Sequence, residues 1–157
     1  MHAFMSYQMT DRAFAATVRD TLAPFDITSF MAHDDLEVSE EWKFRILEEL
    51  SKADLFIAVL SSNYLASSYC MQGSGIAVFR NIKLIVPFSI DETVSPGFMN
   101  NVQSTRVDPK NFNERNIVPV IFRANPGRAI DTMIENVKQS RSFRGAEYNF
   151  ETLNPFL

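Results

Sequence analysis

Two short, uniformly apolar runs stand out in the pattern of hydrophobic and polar positions along the chain. They occupy residues 55–60 (LFIAVL) and 84–90 (LIVPFSI). Runs of this length are typical of strands in a parallel sheet that is covered on both faces. Shorter apolar runs at residues 3–7 and 27–32 predict two further strands, and a short last strand is expected near residues 105–107.

Between these runs, apolar residues recur at helical spacing. Phe14, Val18 and Leu22 lie four residues apart and predict a helix after the first strand. A later helix is predicted over residues 130–137, whereas residues 117–122 fit either a strand or the start of a helix. The helix expected after the second strand has four residues on its apolar face: Trp42, Ile46, Leu47 and Leu50.

This alternation of strands and amphipathic helices predicts an α/β fold. The expected architecture has three layers, doubly wound around a parallel sheet of about five strands. Ligands bind such a sheet beyond the carboxyl ends of its strands. The segments that begin at Tyr7, His33, Ser61 and Asp91 are expected to meet there. The one that starts at Ser61 is rich in serine and is the best placed to line a site.

Composition narrows the class of protein. The chain has 157 residues and a net charge of −4, so it has no basic footprint for nucleic acid or an anionic membrane. A single Cys excludes an internal disulfide, and with two His it leaves no closed Cys/His metal set, so no metal is expected. No apolar run approaches the ~18 residues that span a bilayer, and no signal peptide is recognised. These features predict a cytoplasmic protein.

The end of the chain is interpreted separately. Residues 1–139 are expected to form one domain and residues 140–157 a C-terminal extension. This extension ends on Phe156 and Leu157, although terminal residues are usually polar. It either docks on the core or begins a further, truncated domain, and the second interpretation is favoured.

Five segments of the sequence resemble one family in order and spacing. They are FMSY at residues 4–7, AHDDLEVSEEW at 32–42, DLFIAVLSSNY at 54–64, SSYC at 67–70, and PGF at 96–98 with Gln103. Together they resemble the bacterial members of the TIR (Toll/interleukin receptor) domain family over about residues 2–107. The resemblance implies a flavodoxin-like fold with a parallel sheet.

The same resemblance implies a function. Many bacterial TIR domains cleave NAD⁺ between nicotinamide and ribose, and in several anti-phage defence systems the product signals or the cell is depleted of NAD⁺. The chain is accordingly expected to be an NAD⁺ nucleosidase or cyclase that releases nicotinamide and ADP-ribose or a cyclic ADP-ribose-type signal. It is also expected to assemble with other TIR domains. The alternative is a non-catalytic TIR–TIR interaction or scaffold module.

The chain departs from the family at its catalytic position. The family places a Glu three residues after the Cys of the SSYC-like box, in a pattern such as C-x-x-E-x-G-x-A. Here the pattern runs from Cys70 to Ala77 as CMQGSGIA, so Gly73 occupies the place of the Glu. Glycine cannot stabilise the oxocarbenium-like sugar of the transition state. Two explanations stay open: an inactivating substitution in a competent enzyme, which is favoured, or a TIR domain that binds without cleaving.

The resemblance also implies the ligand contacts. Ser6 and Tyr7 are expected to touch the nicotinamide ring or its ribose. Trp42 fits either the core or a wall of the pocket, and Cys70 is interpreted as a buried thiol and not as a nucleophile. An acidic loop that contains Asp34 is favoured as solvated over replacing the missing carboxylate. The predicted ligand-binding set is Ser6, Tyr7, His33, Asp34, Trp42, Cys70, Gln72 and Ser74.

Overall fold

The computed structural model describes residues 1–32 and 41–157. These residues form two compact units, Met1–Phe112 and Asn113–Leu157. Each unit is described by itself below. Within the described residues, no helix is long and apolar enough to cross a membrane.

The first unit contains a five-stranded parallel sheet, as the apolar runs predict. The strands are paired in the order β2-β1-β3-β4-β5, and each neighbouring pair is parallel. All six residues of β3 are buried, which explains why its sequence has no alternating polar positions. The strands are β1 (His2–Ser6), β2 (Thr28–Met31), β3 (Leu55–Leu60), β4 (Leu84–Ser89) and β5 (Thr105–Arg106).

Helices cover both faces of this sheet and complete the three layers. The chain moves one way from β1 to β2 and the opposite way from β2 to β3 and β4. Since parallel crossovers are right-handed, the first helix lies on one face and the later helices on the other. Among its described residues, the helices of this unit are α1 (Arg12–Leu22), α2 (Trp42–Lys52), α3 (Ser62–Ala66) and α4 (Ser68–Phe79).

A buried aromatic cluster fixes the position of β1 in the sheet. The Phe4 ring stacks on the Phe56 ring at 5.8 Å and lies 5.5 Å from the Phe30 ring. Leu50 of α2 and Ala77 of α4 belong to the same cluster. Because Phe4 is packed on two neighbouring strands, the end of β1 two residues later is held rigidly against α4.

The second unit is helical. It contains α5 (Glu114–Ala124), α6 (Pro126–Lys138), α7 (Phe143–Leu153) and a 3-10 turn at Asn154–Phe156. Residues 117–122 therefore form a helix and not a strand. The predicted helix over residues 130–137 lies within α6. The predicted boundary at residue 139 falls between α6 and α7, and it stays a prediction.

Candidate active site

A cavity of about 670 Å³ lies beside the carboxyl end of β1, between α2 and the first half of α4. Its inner wall is apolar and includes Phe4, Leu50 and Ile76. Its polar groups come from the end of β1 and the loop after it, from α4, and from Lys43 of α2. A volume of this size falls within the range of about 300–1,000 Å³ that small-molecule sites occupy. The cavity therefore lies where the sheet topology predicts a ligand site.

Gly73 is buried on the cavity wall, inside α4. Among the described residues, and apart from its chain neighbours and the backbone of its own helix, a Cβ atom built on Gly73 would meet only one heavy atom within 4 Å, the Oγ of Ser6 at 3.9 Å. This is an ordinary van der Waals distance, and the backbone of Gly73 is not left-handed. Packing around the Cβ position therefore does not require a glycine here.

A chain of buried hydroxyl groups supports the wall behind Ser6. The Ser6 Oγ lies 3.0 Å from the hydroxyl of Tyr64, which in turn lies 2.7 Å from the Oγ of Ser74. Ser74 donates to the carbonyl oxygen of Cys70 at 2.9 Å, one turn earlier in α4. Burial raises the pKa of the Tyr64 phenol, so this group stays neutral. These hydrogen bonds join β1 to α3 and α4.

Two further hydrogen bonds tie the loop after β1 to the segment after β3. Ser61 donates to a carboxylate oxygen of Asp11 at 2.6 Å, and Asn63 donates to the Oγ of Thr10 at 3.1 Å. Ser61 also caps α3 by accepting from the backbone N–H of Tyr64 at 3.1 Å. These contacts hold the start of the loop that lines the cavity in a fixed place relative to Tyr64.

An aromatic pair lines the cavity, with one ring from α2 and the other from α4. The rings of Trp42 and Tyr69 are 4.6 Å apart and nearly perpendicular, at 70°. Both residues line the cavity, and Tyr69 is 59% exposed. Trp42 is half-buried on the cavity wall, which is the second of the two placements considered for it. The pair offers a ring surface against which a flat ligand group can pack.

The family model that matches this sequence is described as the TIR domain, and it matches residues 3–116. The chain belongs to the TIR domain family. The resemblance of the five segments to the TIR family is thereby confirmed, whereas the narrower resemblance to its bacterial members stays a prediction. Among curated proteins, none matches the chain.

Two solved structures show which folds resemble this TIR domain. One is the TIR domain of the Toll-related receptor TRR-2 from Hydra magnipapillata, at a TM-score of 0.59 and 19% identity, covering 81% of this chain and 96% of that one. The other is a 2-deoxyribosyltransferase from Bacillus psychrosaccharolyticus, at a TM-score of 0.54 and 15% identity, covering 74% and 96%. At these identities the likeness concerns the fold alone.

The structure gathers most of the predicted site residues of the TIR domain around the cavity. Ser74 does not line it, since its hydroxyl is bonded to Tyr64 behind the wall. His33 and Asp34 lie outside the described residues. Tyr64 and Tyr69 were not among the predicted site residues, although both lie in segments that resemble the family. The predicted residues that line the cavity are Ser6, Tyr7, Trp42, Cys70, Gln72 and Gly73.

The described wall of the TIR cavity offers hydrogen bonds and little charge. The only charged side chain among the described lining residues is Lys43, whose Nζ lies 5.1 Å from the centre of the Phe44 ring. Burial raises the pKa of the Cys70 thiol, which disfavours the nucleophilic thiolate. Across residues 1–32 and 41–157, no group of three or more His, Cys, Asp or Glu residues is arranged to hold a metal ion.

Proposed function

We propose that the cavity is an NAD⁺ site of the nucleosidase type in which Gly73 occupies the position of the catalytic Glu. The chain then binds NAD⁺ but cleaves its nicotinamide–ribose bond slowly or not at all. The observation that carries this proposal is that Gly73 lines the same cavity as Ser6 and Trp42, with space for a side chain.

The chemistry of the bond explains why the missing carboxylate matters. Departure of nicotinamide leaves positive charge on the ribose, and a positioned carboxylate stabilises that charge. No carboxylate belongs to the described lining residues. Loss of one transition-state stabiliser costs about 10²–10³ in rate. The fold is also that of a protein named as a 2-deoxyribosyltransferase, so it is compatible with chemistry at a sugar–base bond.

The remaining lining residues suit the parts of a dinucleotide. Trp42 and Tyr69 offer a ring surface for a flat base, whereas Ser6, Tyr7 and Gln72 offer hydrogen bonds for a ribose or a carboxamide. In this proposal the form of the protein with a Glu at position 73 is a cytoplasmic bacterial defence protein that yields ADP-ribose or a cyclic derivative.

Restoring the acid tests the proposal directly. We expect Gly73→Glu to raise nicotinamide release from NAD⁺ at least about 100-fold over the unmodified protein. Gly73→Gln controls for size without charge. Gly75→Glu controls for a carboxylate on the same helix, since Gly75 also has open space around its Cβ position but does not line the cavity. Neither control should gain activity.

The opposite result would overturn the proposal. A folded Gly73→Glu protein that neither releases nicotinamide nor binds NAD⁺ in calorimetry has no nucleosidase pocket. The alternative function, a TIR–TIR scaffold, then remains. It is favoured by the general self-association of TIR domains and by exposed aromatic residues such as Phe44 (65%) and Phe79 (90%). Sedimentation of the same protein distinguishes a scaffold, which assembles, from a monomer.

A further inference from the structure

The hydroxyl chain behind the cavity has three members and reaches the cavity at one of them. Ser6, Tyr64 and Ser74 are each at most 5% exposed, and of the three only Ser6 lines the cavity. This chain of hydroxyl groups ends at the carbonyl oxygen of Cys70, which can accept a hydrogen bond but cannot donate one. This fixed end determines the direction of the whole chain.

Counting protons gives that direction. Each hydroxyl has a single proton, and Ser74 donates its proton to the Cys70 carbonyl at 2.9 Å. Ser74 must therefore accept at the 2.7 Å contact, so Tyr64 donates to it. Tyr64 then has no proton for Ser6, and Ser6 donates to Tyr64 across 3.0 Å.

The reverse direction is less favourable. If Tyr64 donated to Ser6, Ser74 would have to donate to Tyr64, and its 2.9 Å contact with the Cys70 carbonyl would lose its proton. The 3.4 Å contact of that carbonyl with the Tyr64 hydroxyl cannot replace it, because the single proton of Tyr64 would then point to Ser6. An unmade hydrogen bond in a buried network costs more than a made one contributes. The Ser6 hydroxyl also contacts the Cys70 sulfur, but sulfur is only a weak acceptor, so this contact does not change the order.

We infer that Ser6 presents a hydrogen-bond acceptor, and no donor, to the ligand in this cavity. It therefore selects a ligand group that donates, such as a ribose hydroxyl or a carboxamide NH₂, over a carboxylate or phosphate oxygen. This inference rests on the proposed NAD⁺ site. The Ser6 Oγ lies 3.9 Å from the Cβ position of Gly73, so the acceptor faces the place where the family has its carboxylate. Tyr64 and Ser74 are positioning residues that act through Ser6.

Calorimetry with NAD⁺ and two analogues tests the acceptor. One analogue has a carboxylate in place of the nicotinamide carboxamide, and the other has a methoxy group in place of the 2′-hydroxyl on the nicotinamide-side ribose, which can accept a hydrogen bond but not donate one. Each removes one donor. We expect the unmodified protein to bind one of them about tenfold more weakly than NAD⁺, which corresponds to one buried hydrogen bond. The analogue that loses affinity identifies the group that donates to Ser6.

Variants of the positioning residues test the direction of the chain. Tyr64→Phe removes the acceptor for the Ser6 proton, and Ser74→Ala frees the Tyr64 proton to turn towards Ser6. In both variants Ser6 can donate to the ligand, so the tenfold preference should fall to within about threefold. Tyr148→Phe removes another tyrosine hydroxyl, one that does not line the cavity, and should keep the preference. Circular dichroism verifies that each variant is folded.

Two results would overturn the inference. In the first, the unmodified protein binds both analogues as tightly as NAD⁺. In the second, the tenfold preference persists in both Tyr64→Phe and Ser74→Ala. A protein that binds no NAD⁺ in any variant, with Gly73→Glu also inert, overturns the proposed function, and the inference falls with it.

Discussion

The space at Gly73 makes a quantitative prediction about stability. Gly73 lies inside α4, and its nearest non-local neighbour would be 3.9 Å from an added Cβ. Alanine in a helix interior is favoured over glycine by about 1 kcal/mol, since glycine loses more freedom on folding. No steric clash offsets this gain. We therefore expect Gly73→Ala to raise the free energy of unfolding by about 1 kcal/mol and Tm by about 2–4 °C for a chain of this size.

Two other glycines provide matched controls. Gly75 lies in the same helix, and outside that helix no heavy atom of the described residues lies within 4 Å of its Cβ position, so Gly75→Ala should stabilise by a similar amount. Gly97 has a positive φ of 53°, where a side chain is strained, so Gly97→Ala should destabilise by about 1–2 kcal/mol. Urea unfolding followed by circular dichroism measures all three changes, and an unchanged slope with urea shows that the unfolded states are comparable.

One outcome would refute the reasoning from space. If Gly73→Ala lowers the free energy of unfolding by 1 kcal/mol or more while Gly75→Ala raises it, position 73 has no room for a side chain. The absence of a carboxylate would then follow from packing. The Gly73→Glu experiment would also lose its basis, because the restored acid could not take up its position.

Two further predictions concern buried polar groups. The carboxylate of Glu49 is 6% exposed and bonds to His2 at 2.5 Å and Arg45 at 2.9 Å. Glu49→Gln should therefore lower the free energy of unfolding, measured with urea, by about 1–2 kcal/mol. Glu48→Gln, which changes an exposed carboxylate of the same helix, should change it far less. Burial raises the pKa of Tyr64 above the value of about 10 that it has in the unfolded chain. The stabilisation linked to the neutral phenol is therefore present below about pH 10 and lost as the pH rises beyond it. Tyr64→Phe should flatten this fall in stability at alkaline pH.

The sequence predicts the sheet well because strands that are buried on both faces appear in the sequence as uninterrupted apolar runs. The run at residues 55–60 coincides with β3, and the run at 84–90 extends one residue beyond β4. Residues 117–122 are equally apolar but form part of α5. There the capping box of Asn113 and Asn116 starts a helix, and such a local hydrogen bond pattern outweighs a short apolar run.

The candidate site, too, could be predicted only in part from the sequence. Ser6 could be predicted because it lies at the end of a strand, where parallel sheets bind ligands, and Gly73 because the resemblance to the TIR family marks its position. Tyr64 could not, since its contact with Ser6 joins residues 58 positions apart. Ser74 is adjacent to Gly73 in the sequence, but this does not bring both residues to the cavity. Successive helical residues are rotated by about 100°, so Gly73 faces the cavity while Ser74 faces Tyr64.

The hydroxyl chain also bears on the choice between a binding site and a bare scaffold. Three buried hydroxyls that satisfy one another contribute little net stability, because apolar groups of the same shape would serve a core about as well. What such a chain provides is direction: it fixes the orientation of the Ser6 hydroxyl at the cavity wall. A scaffold that binds only through its outer surface has no use for that orientation. A cavity that holds a ribose or a carboxamide does, and this is why the cavity wall favours ligand binding in a chain that lacks the acid at Gly73.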